Sequence, residues 1–191
     1  VYVFSDAGVY AGIYGNTDGS GKVRITLPNG GFKFRADILG GHYWSNVVQV
    51  AGAGTYPVSL DAGGGPMQIA VRGDSQTPLA GVNVYLFSDA GAYLGRQQVT
   101  TASGLVEFAV PRGTYTVRVD YLGYQVWSEI VPVEAAADRV LTIAHTQVNV
   151  TVGGAFQGVT QPIAGIEVYL YSSAGSYLGL HQRTGSDGRI S

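Results

Sequence analysis

The sequence contains no cysteine and few charged residues. Without cysteine, disulfides and thiolate metal sites are excluded. Charged residues make up 13% of the 191 residues, which is about half the usual share. Lysine and arginine are scattered along a chain whose net charge is −2. Because nothing forms a basic stripe, we expect binding neither to nucleic acid nor to an anionic membrane surface.

Long apolar runs and helical patterns are missing as well. No apolar run approaches the ~20 residues of a membrane span, so we expect no membrane insertion. No glycine-rich loop follows a strand and opens a helix, which argues against nucleotide binding. What is abundant is glycine, with 29 residues, and tyrosine, with 13. This composition is typical of a turn-rich β protein, and its scarcity of lysine favours an extracellular or cell-surface location.

One short motif occurs three times. Its middle copy covers 82–95, and the others cover 1–12 and 168–179. Tyr2, Tyr85 and Tyr169 occupy the same position of the motif and lie 83 and 84 residues apart. A period that long lets each repeat bury its own core, unlike solenoid repeats of about 20 to 50 residues.

We therefore predict three domains, which we name repeat one (1–62), repeat two (63–144) and repeat three (145–191). Repeat one is expected to lack its first strand and repeat three its C-terminal strands, so we expect the chain to be a segment of a longer polypeptide. The glycine-rich run 61–66 predicts a linker between the first two repeats. The second junction, 144–146, is so short that its neighbours should be nearly rigid relative to each other.

Repeat two serves as the template for the fold. Short segments with strand character alternate with Gly, Pro, Asn and Ser turns, and helical periodicity is absent. The pattern predicts an all-β fold of tandem seven-stranded Greek-key β-sandwiches. The predicted strands, A to G, are 67–72, 82–87, 97–101, 105–110, 114–121, 124–133 and 139–143. Repeat one is predicted to have equivalent strands over 22–27 and 58–60, and repeat three a strand A over 148–152.

The turns carry a family resemblance. A Thr-Asp-x-x-Gly type of turn recurs at 17–21, 101–104 and 186–188, and strand D ends in Pro-x-Gly before an aromatic-rich strand. This pattern resembles the carboxypeptidase regulatory-like domains, which share the transthyretin-like (prealbumin-like), Ig-type sandwich with the repeats of many bacterial surface adhesins. The resemblance implies stalks, spacers and interaction modules. We accordingly expect no enzyme, no catalytic residues and no cofactor.

Two features of the sequence suggest a metal site, and each has a simpler explanation. His42, His145 and His181 occupy non-equivalent positions in different repeats, so a two-histidine site would have to bridge domains, and solvated histidines are the simpler reading. The run 16–21 is rich in oxygen ligands, as in a calcium loop, but it lacks the bidentate acid downstream. Asp and Asn also favour tight turns by bonding their own backbone, which is sufficient to explain the run.

The outward face of strand B is unexpectedly apolar. We name its side chains the aromatic row; they are Tyr2, Phe4, Tyr85, Phe87, Tyr169 and Tyr171. Three explanations are open: a lateral contact between domains or subunits, cover by a local loop carrying Tyr10, Tyr93 and Tyr177, or a saccharide-binding platform.

A charged pair also recurs on the outward face of strand E. Arg35 and Asp37 in repeat one correspond to Arg118 and Asp120 in repeat two. The simpler reading is a cross-strand ion-pair lattice in which each pair contributes little. The alternative is a polar patch at a repeated contact between subunits.

These features lead to a structural hypothesis for function. We expect a segment of an extracellular bacterial filament or adhesin stalk, whose partners are copies of itself or adjacent repeats of the same long chain. Incomplete end domains would expose sheet edges that neighbouring chains complete by strand exchange. Alternatively, the segment is a window of one long repeat chain. A carbohydrate-binding or other ligand-binding surface module is the second hypothesis.

Overall fold

A computed structural model describes residues 1–190. Apart from one 3-10 turn at Asp74–Gln76, its regular elements are all β-strands. Repeat one contains β1 Tyr2–Ser5, β2 Tyr10–Tyr14, β3 Gly30–Ile38, β4 Gly41–Trp44 and β5 Val48–Val50. Repeat two contains β6 Gly65–Arg72, β7 Asn83–Ser88, β8 Tyr93–Val99, β9 Leu105–Val110, β10 Gly113–Tyr121, β11 Tyr124–Trp127, β12 Val131–Val133 and β13 Ala137–Thr142. Repeat three contains β14 Val150–Thr151, β15 Gly153–Phe156, β16 Val159–Pro162, β17 Glu167–Tyr171, β18 Tyr177–Arg183 and β19 Arg189–Ile190.

Repeat two forms a β-sandwich around its own core. One sheet has the strand order β11-β10-β7-β8, with β12 also paired to β10, and the other has the order β13-β6-β9. Apolar side chains alternate along 82–87 and 114–121 and point between the sheets, where Leu86 and Val117 are fully buried. There they join one core with Met67 of the opposite sheet. The prediction of an all-β sandwich is confirmed.

The strand predicted over 124–133 is interrupted, so repeat two has eight strands instead of seven. Between β11 and β12, the N–H of Ser128 donates to Val117 O at 2.9 Å, and Ser128 Oγ accepts the N–H of Val117 at 3.0 Å. A hydroxyl thus replaces a backbone carbonyl in the ladder and breaks its regular register. Ser45 makes the same two hydrogen bonds to Phe34 in repeat one.

A buried threonine follows the third strand. β8 starts earlier than the strand predicted over 97–101 and ends before Thr100. Thr100 Oγ1 accepts the N–H of Val82 at 2.9 Å and donates to Leu79 O at 2.6 Å. Thr184 makes the equivalent pair of bonds in repeat three, at 3.0 and 2.8 Å. Each threonine therefore fastens the entry of strand B to the end of strand C.

Repeat one forms a single sheet with the order β2-β1-β3-β4, and β5 also pairs with β3. The strands predicted over 22–27 and 58–60 are not formed. In repeat two their counterparts, β9 and β13, both pair with β6 in the middle of the second sheet. The described residues contain no counterpart of β6 before β1, so these two segments have no strand to pair with. β-structure needs a hydrogen-bonded neighbour as well as a suitable sequence.

Repeat three consists of three small antiparallel pairs, β14 with β19, β15 with β16 and β17 with β18. The strand predicted over 148–152 is reduced to β14. The β15–β16 hairpin takes the place of the loop that carries the 3-10 turn in repeat two. Leu170, the counterpart of the fully buried Leu86, is 46% exposed, and residues 145–190 include no counterpart of β10 beside its strand.

The glycine-rich run 61–66 is not a free linker. A Cβ built on Gly64, whose φ is +80°, would lie 2.2 Å from the carbonyl oxygen of Val110. A Cβ on Gly65 would lie 2.1 Å from Ala135 O. These glycines are needed because the backbone passes against two other backbone segments, a use of glycine distinct from flexibility. The run predicted as the first linker is therefore packed against repeat two, and its last two residues begin β6.

Candidate functional site

The outward faces of strands B and E meet on one sheet. β7 pairs with β10 so that Tyr85 lies opposite Arg118. The guanidinium carbon of Arg118 lies 4.6 Å from the ring centroid of Tyr85, 5.5 Å from that of Phe87 and 6.0 Å from that of Trp127. These are cation–π distances. We name Arg118 and the surrounding rings, with Tyr93, the aromatic–arginine cluster of repeat two.

Repeat one contains the same cluster. Arg35 lies opposite Tyr2 in the β1–β3 register, and its guanidinium carbon is 5.0 Å from Tyr2, 5.3 Å from Phe4 and 5.7 Å from Trp44. The aromatic row and the charged pair are thus parts of one surface. They meet because strands B and E, distant in the chain, are neighbours in the sheet.

The charged pair is held within one strand, not across strands. Arg35 donates to Asp37 through Nε at 2.7 Å and Nη2 at 2.9 Å, and Arg118 Nη2 donates to Asp120 Oδ2 at 3.1 Å. Arg118 Nε lies 2.9 Å from Asp120 Oδ1, but its N–H is not aimed at that oxygen. Residues two apart on a strand share a face, which permits this pairing. Each arginine therefore pairs with the aspartate of its own strand, in place of the predicted cross-strand lattice.

Repeat one adds a histidine to its pair. His42 Nδ1 lies 2.9 Å from Asp37 Oδ1. Burial alone would raise the pKa of Asp37, but the hydrogen bonds and charges of Arg35 and His42 outweigh it and hold that pKa below its ordinary value. The Asp37 carboxylate is therefore ionised at neutral pH and forms a charge pair with Arg35 beside the rings of repeat one.

Two tryptophans complete the clusters and are absent from the predicted site. Trp127 lies opposite Arg118 in the β10–β11 register and its ring centroid is 4.7 Å from that of Phe87. Trp44 lies at the same 4.7 Å from Phe4. Both indoles are about half exposed, at 47% and 48%. Their spacing of 83 residues, the same as the spacing of the motif, was the signal that could have placed them in the site.

The tyrosines after the β-turn also touch the aromatic row. The ring of Tyr93 is 5.4 Å from Phe87 and 6.1 Å from Tyr85, and Tyr10 lies 5.4 Å from Phe4. Phe87 is only 8% exposed as a result of these contacts and those of Trp127. The outer surface of the cluster is consequently formed by Tyr93 and Trp127 more than by the aromatic row itself.

Repeat three has the rings without the arginine. Tyr177 lies 5.8 Å from Tyr169 and 5.5 Å from Tyr171. His181 stacks on Tyr169 at 5.5 Å and 25°, on the side away from the position that strand E takes in the other repeats. Both tyrosines of the row are about half exposed, because residues 145–190 supply no strand E.

The oxygen-rich run 16–21 is an Asp-centred turn. Asp18 Oδ1 accepts the N–H of Ser20 at 2.8 Å, the N–H of Lys22 at 3.0 Å and the hydroxyl of Ser20 at 2.7 Å. These hydrogen bonds, the one from Lys22 first, lower the pKa of Asp18. The carboxylate is engaged with its own backbone, as Asp commonly is in turns.

The three histidines are separate from one another. His42 contacts Asp37, His145 contacts Tyr121, and His181 contacts the hydroxyl of Tyr177. Within residues 1–190, no three His, Asp or Glu side chains are grouped so as to hold a metal ion. Over the same range, no helix is long and apolar enough to cross a membrane.

Repeat two is thus an all-β sandwich with an aromatic–arginine cluster on the outward face of one sheet, and repeat one carries the same cluster on its single sheet. The family model of the carboxypeptidase regulatory-like domain matches residues 67–146. The resemblance predicted from the turns is thereby confirmed for repeat two. The comparison with curated proteins found no match.

Solved structures similar to this chain come from bacterial proteins. The Bacillus anthracis TIE protein aligns with a TM-score of 0.41 and 13% identity, over 99% of this chain and 40% of its own. A streptococcal ancillary pilin aligns with a TM-score of 0.37 and 14% identity, over 86% and 62%. The major pilin subunit of Bacillus cereus aligns with a TM-score of 0.35 and 11% identity, over 63% and 41%. The chain thus spans less than two thirds of the length of each of these proteins.

Proposed function

We propose that the chain is a structural part of an extracellular bacterial filament or adhesin stalk, in which tandem sandwiches span distance. One observation carries the proposal: repeat two encloses a complete core, and the residues on both sides of it repeat the same motif. Domains with their own cores can be connected in series without disturbing their neighbours. The clusters recur at the same place on repeats one and two and offer a surface for lateral contact with copies of the chain or adjacent repeats.

Immunogold electron microscopy of source cells with an antibody against the chain tests this proposal. We expect gold particles outside the cell envelope, on filaments or at a distance from the surface, in cells that have not been permeabilised. An antibody against a cytoplasmic protein serves as the control and should label permeabilised cells alone. Label confined to the cell interior would overturn the proposal.

Strand addition is the more specific form of the proposal. Segments 22–27 and 58–60 lie outside any sheet, whereas their counterparts in repeat two, β9 and β13, pair with β6 from either side. A strand from another chain, or from further residues of the same polypeptide, would pair with both. Sedimentation velocity over a wide concentration range distinguishes the sources. Growing oligomers support exchange between chains, and a monomer at every concentration overturns it.

The half-exposed indoles favour a second candidate function, saccharide binding at the clusters. Trp127 and Tyr93 present aromatic surface beside the charged Arg118, a combination of stacking face and hydrogen-bond donors that suits a sugar ring. A glycan array probed with the full chain, and with the Trp127→Ala and Trp44→Ala variants, tests it. Binding that is lost in the double variant supports this function, and an array without signal for the unaltered chain rejects it.

A further inference from the structure

The two junctions between repeats share one apolar contact. A Cβ built on Gly40 would meet Leu94 Cδ2 at 3.7 Å, and a Cβ built on Gly123 would meet Leu178 Cδ2 at 3.4 Å. Leu94 and Leu178 occupy the same position, directly after the tyrosine that opens the third strand of their repeats. In both cases the leucine of one repeat therefore lies on the β-turn between strands E and F of the repeat before it.

The turn that receives the leucine has an unusual sequence for its geometry. Leu39 and Gly40 form the two-residue loop between β3 and β4, with φ of +48° and +80°. Leu122 and Gly123 form the same loop between β10 and β11, with φ of +47° and +78°. Two positive φ values define a type I′ turn, in which Asn-Gly is the favoured pair. Leucine is uncommon in the left-handed region because its Cβ is crowded there.

Leucine occupies this strained position in both turns, which indicates that its side chain makes a contact that offsets the strain. Leu39 belongs to repeat one but packs against the buried core cluster of repeat two, as Leu94 does. A third type I′ turn in the chain, Gln157–Gly158, has a polar first residue, and a Cβ on its glycine would touch nothing within 4 Å. The leucine thus occurs in the turns that meet a following repeat.

Polar contacts differ between the junctions. At the first, the hydroxyl of Tyr43 donates to Arg112 O at 2.9 Å. Val126 occupies the corresponding position in repeat two and has no hydroxyl to offer. At the second junction the polar contacts are made by His145. Its backbone N–H donates to the carboxylate of Asp74, and its Nε2 lies 3.2 Å from the hydroxyl of Tyr121. The leucine contact is the part that both junctions share.

We infer that the two junctions are copies of one joint, in which Leu94 or Leu178 packs on the Leu–Gly turn of the preceding repeat and fixes the angle between them. The partner that this turn fits is the next copy of the same repeat. A stalk requires fixed joints, so the role that we give to this joint rests on the proposed function. The joint itself is a property of the isolated chain and is measured independently of cellular location.

Pairs of spin labels on the full chain test the joint. The absence of cysteine allows labels at exposed Gln49→Cys, Val140→Cys and Leu180→Cys, one in each repeat. Labels at 49 and 140 report on the first joint, and labels at 140 and 180 report on the second. We expect narrow distance distributions for both pairs. Domains without a fixed interface move relative to each other, so loss of a joint should broaden its distribution about twofold.

Substitutions at each joint should act separately. Leu94→Asp should broaden only the first distribution, and Leu178→Asp only the second. Val99→Asp, an exposed apolar position on the same strand as Leu94, is the matched control and should change neither. Near-UV circular dichroism checks that repeat two stays folded, and Leu94→Ala, which copies Ala11 of repeat one, replaces Leu94→Asp if it does not.

Leu39→Asn removes the leucine contact of the joint and keeps the turn. Asparagine suits the type I′ geometry, so β3 and β4 stay paired while the leucine contact is lost. The first distribution should broaden and the second should stay narrow. Narrow distributions in Leu94→Asp, Leu94→Ala and Leu39→Asn would overturn the joint, as would equal broadening at both junctions from one substitution. Intracellular immunogold label together with these expected changes would reject the stalk and leave the joint standing.

Discussion

The same motif meets different surroundings in repeats two and three. Phe87 is 8% exposed, whereas Tyr171 at the equivalent position is 55% exposed. The hairpins themselves are alike: β7 pairs with β8 and β17 pairs with β18 in the same register, each with an irregularity before the turn. The difference arises from β10, which lies beside β7 and has no counterpart within residues 145–190. Local sequence thus forms the hairpin, and a strand distant in the chain buries it.

The largest test of this comparison is the loss of a core leucine. Leu86 is fully buried, and its equivalent Leu170 is 46% exposed. Leu86→Ala should lower the free energy of unfolding of repeat two by about 3 kcal/mol, because it removes buried apolar groups and leaves a cavity. Leu170→Ala should change the free energy of unfolding by less than about 0.5 kcal/mol. Urea unfolding followed by Trp127 fluorescence reports on repeat two.

Amide exchange within β17 and β18 reports on Leu170→Ala. Equal effects of the two substitutions would contradict the claim that β10 creates the difference, since they would show that repeat three buries its leucine in solution.

The buried threonines Thr100 and Thr184 are a feature that repeats two and three share, so the same substitution should have the same effect in both. Thr100→Val preserves shape but leaves the N–H of Val82 and the carbonyl of Leu79 without their partners, which should cost about 2 kcal/mol. Thr184→Val should have a similar effect on repeat three. Hydrogen exchange at the amides of Val82 and Ile166 measures each loss directly.

Thr17 is the natural control for these substitutions. It precedes the same turn in repeat one but is exposed, so Thr17→Val should be nearly neutral. A neutral Thr100→Val would show that water replaces the hydroxyl and that the clamp contributes little.

A third test uses Tyr115, which β10 brings into the core of repeat two. Burial, with a smaller effect of neighbouring Tyr43, raises the pKa of Tyr115 to about 12. Above pH ~10 the unfolded chain loses this proton while the folded chain keeps it, so the stability of repeat two should fall between pH ~10 and ~12, by up to about 1.4 kcal/mol per pH unit. Urea midpoints at successive pH values measure the slope.

Tyr115→Phe should flatten this alkaline slope. It also removes the hydrogen bond from the Tyr115 hydroxyl to Pro111 O, 2.9 Å long, so its stability at pH 8 is the baseline for comparison. Repeat one has Phe32 at this position and provides the precedent. An unchanged slope in the variant would assign the pH dependence to other groups.

The sequence predicted those parts of the fold that depend on alternation within one strand. The inward face of strand E is an example, since Tyr115, Val117 and Val119 are all buried as expected. It failed where a strand needs a partner: residues 22–27 alternate well but remain outside any sheet. Residues 124–133 failed for another reason, because the hydroxyl of Ser128 competes with the backbone for the N–H of Val117.

The candidate site was predictable in its members but not in its assembly. Tyr85 and Arg118 could each be identified from the 83-residue spacing, yet their contact depends on the pairing of strands B and E, which are not consecutive. Trp127 follows the same spacing and was available to the same reasoning. The packing of Gly64 against Val110 could not be inferred, since a glycine required by close approach and a glycine in a flexible linker look alike in sequence.

The smallest effect we predict is that of the cluster arginine, and it sharpens the comparison most directly. Arg118 and Asp120 are 21% and 33% exposed as side chains, and the guanidinium also contacts Tyr85. Arg118→Gln should destabilise repeat two by about 1 kcal/mol, after allowance for partial exposure to solvent. Arg183→Gln, which breaks the Arg183–Glu167 pair of repeat three, should cost less than about 0.5 kcal/mol because Arg183 is 66% exposed.

Arg118→Lys distinguishes the two parts of the arginine contact. Lysine keeps the charge beside Asp120 but has no planar group to lie over Tyr85. A loss as large as that of Arg118→Gln therefore assigns the effect to the planar guanidinium, and full retention of stability assigns it to the positive charge, which a lysine can also place near the rings. If Arg118→Gln itself proves neutral in urea unfolding, the cluster does not stabilise the fold. Its recurrence in repeats one and two would then have to be explained by contacts made on the outer surface.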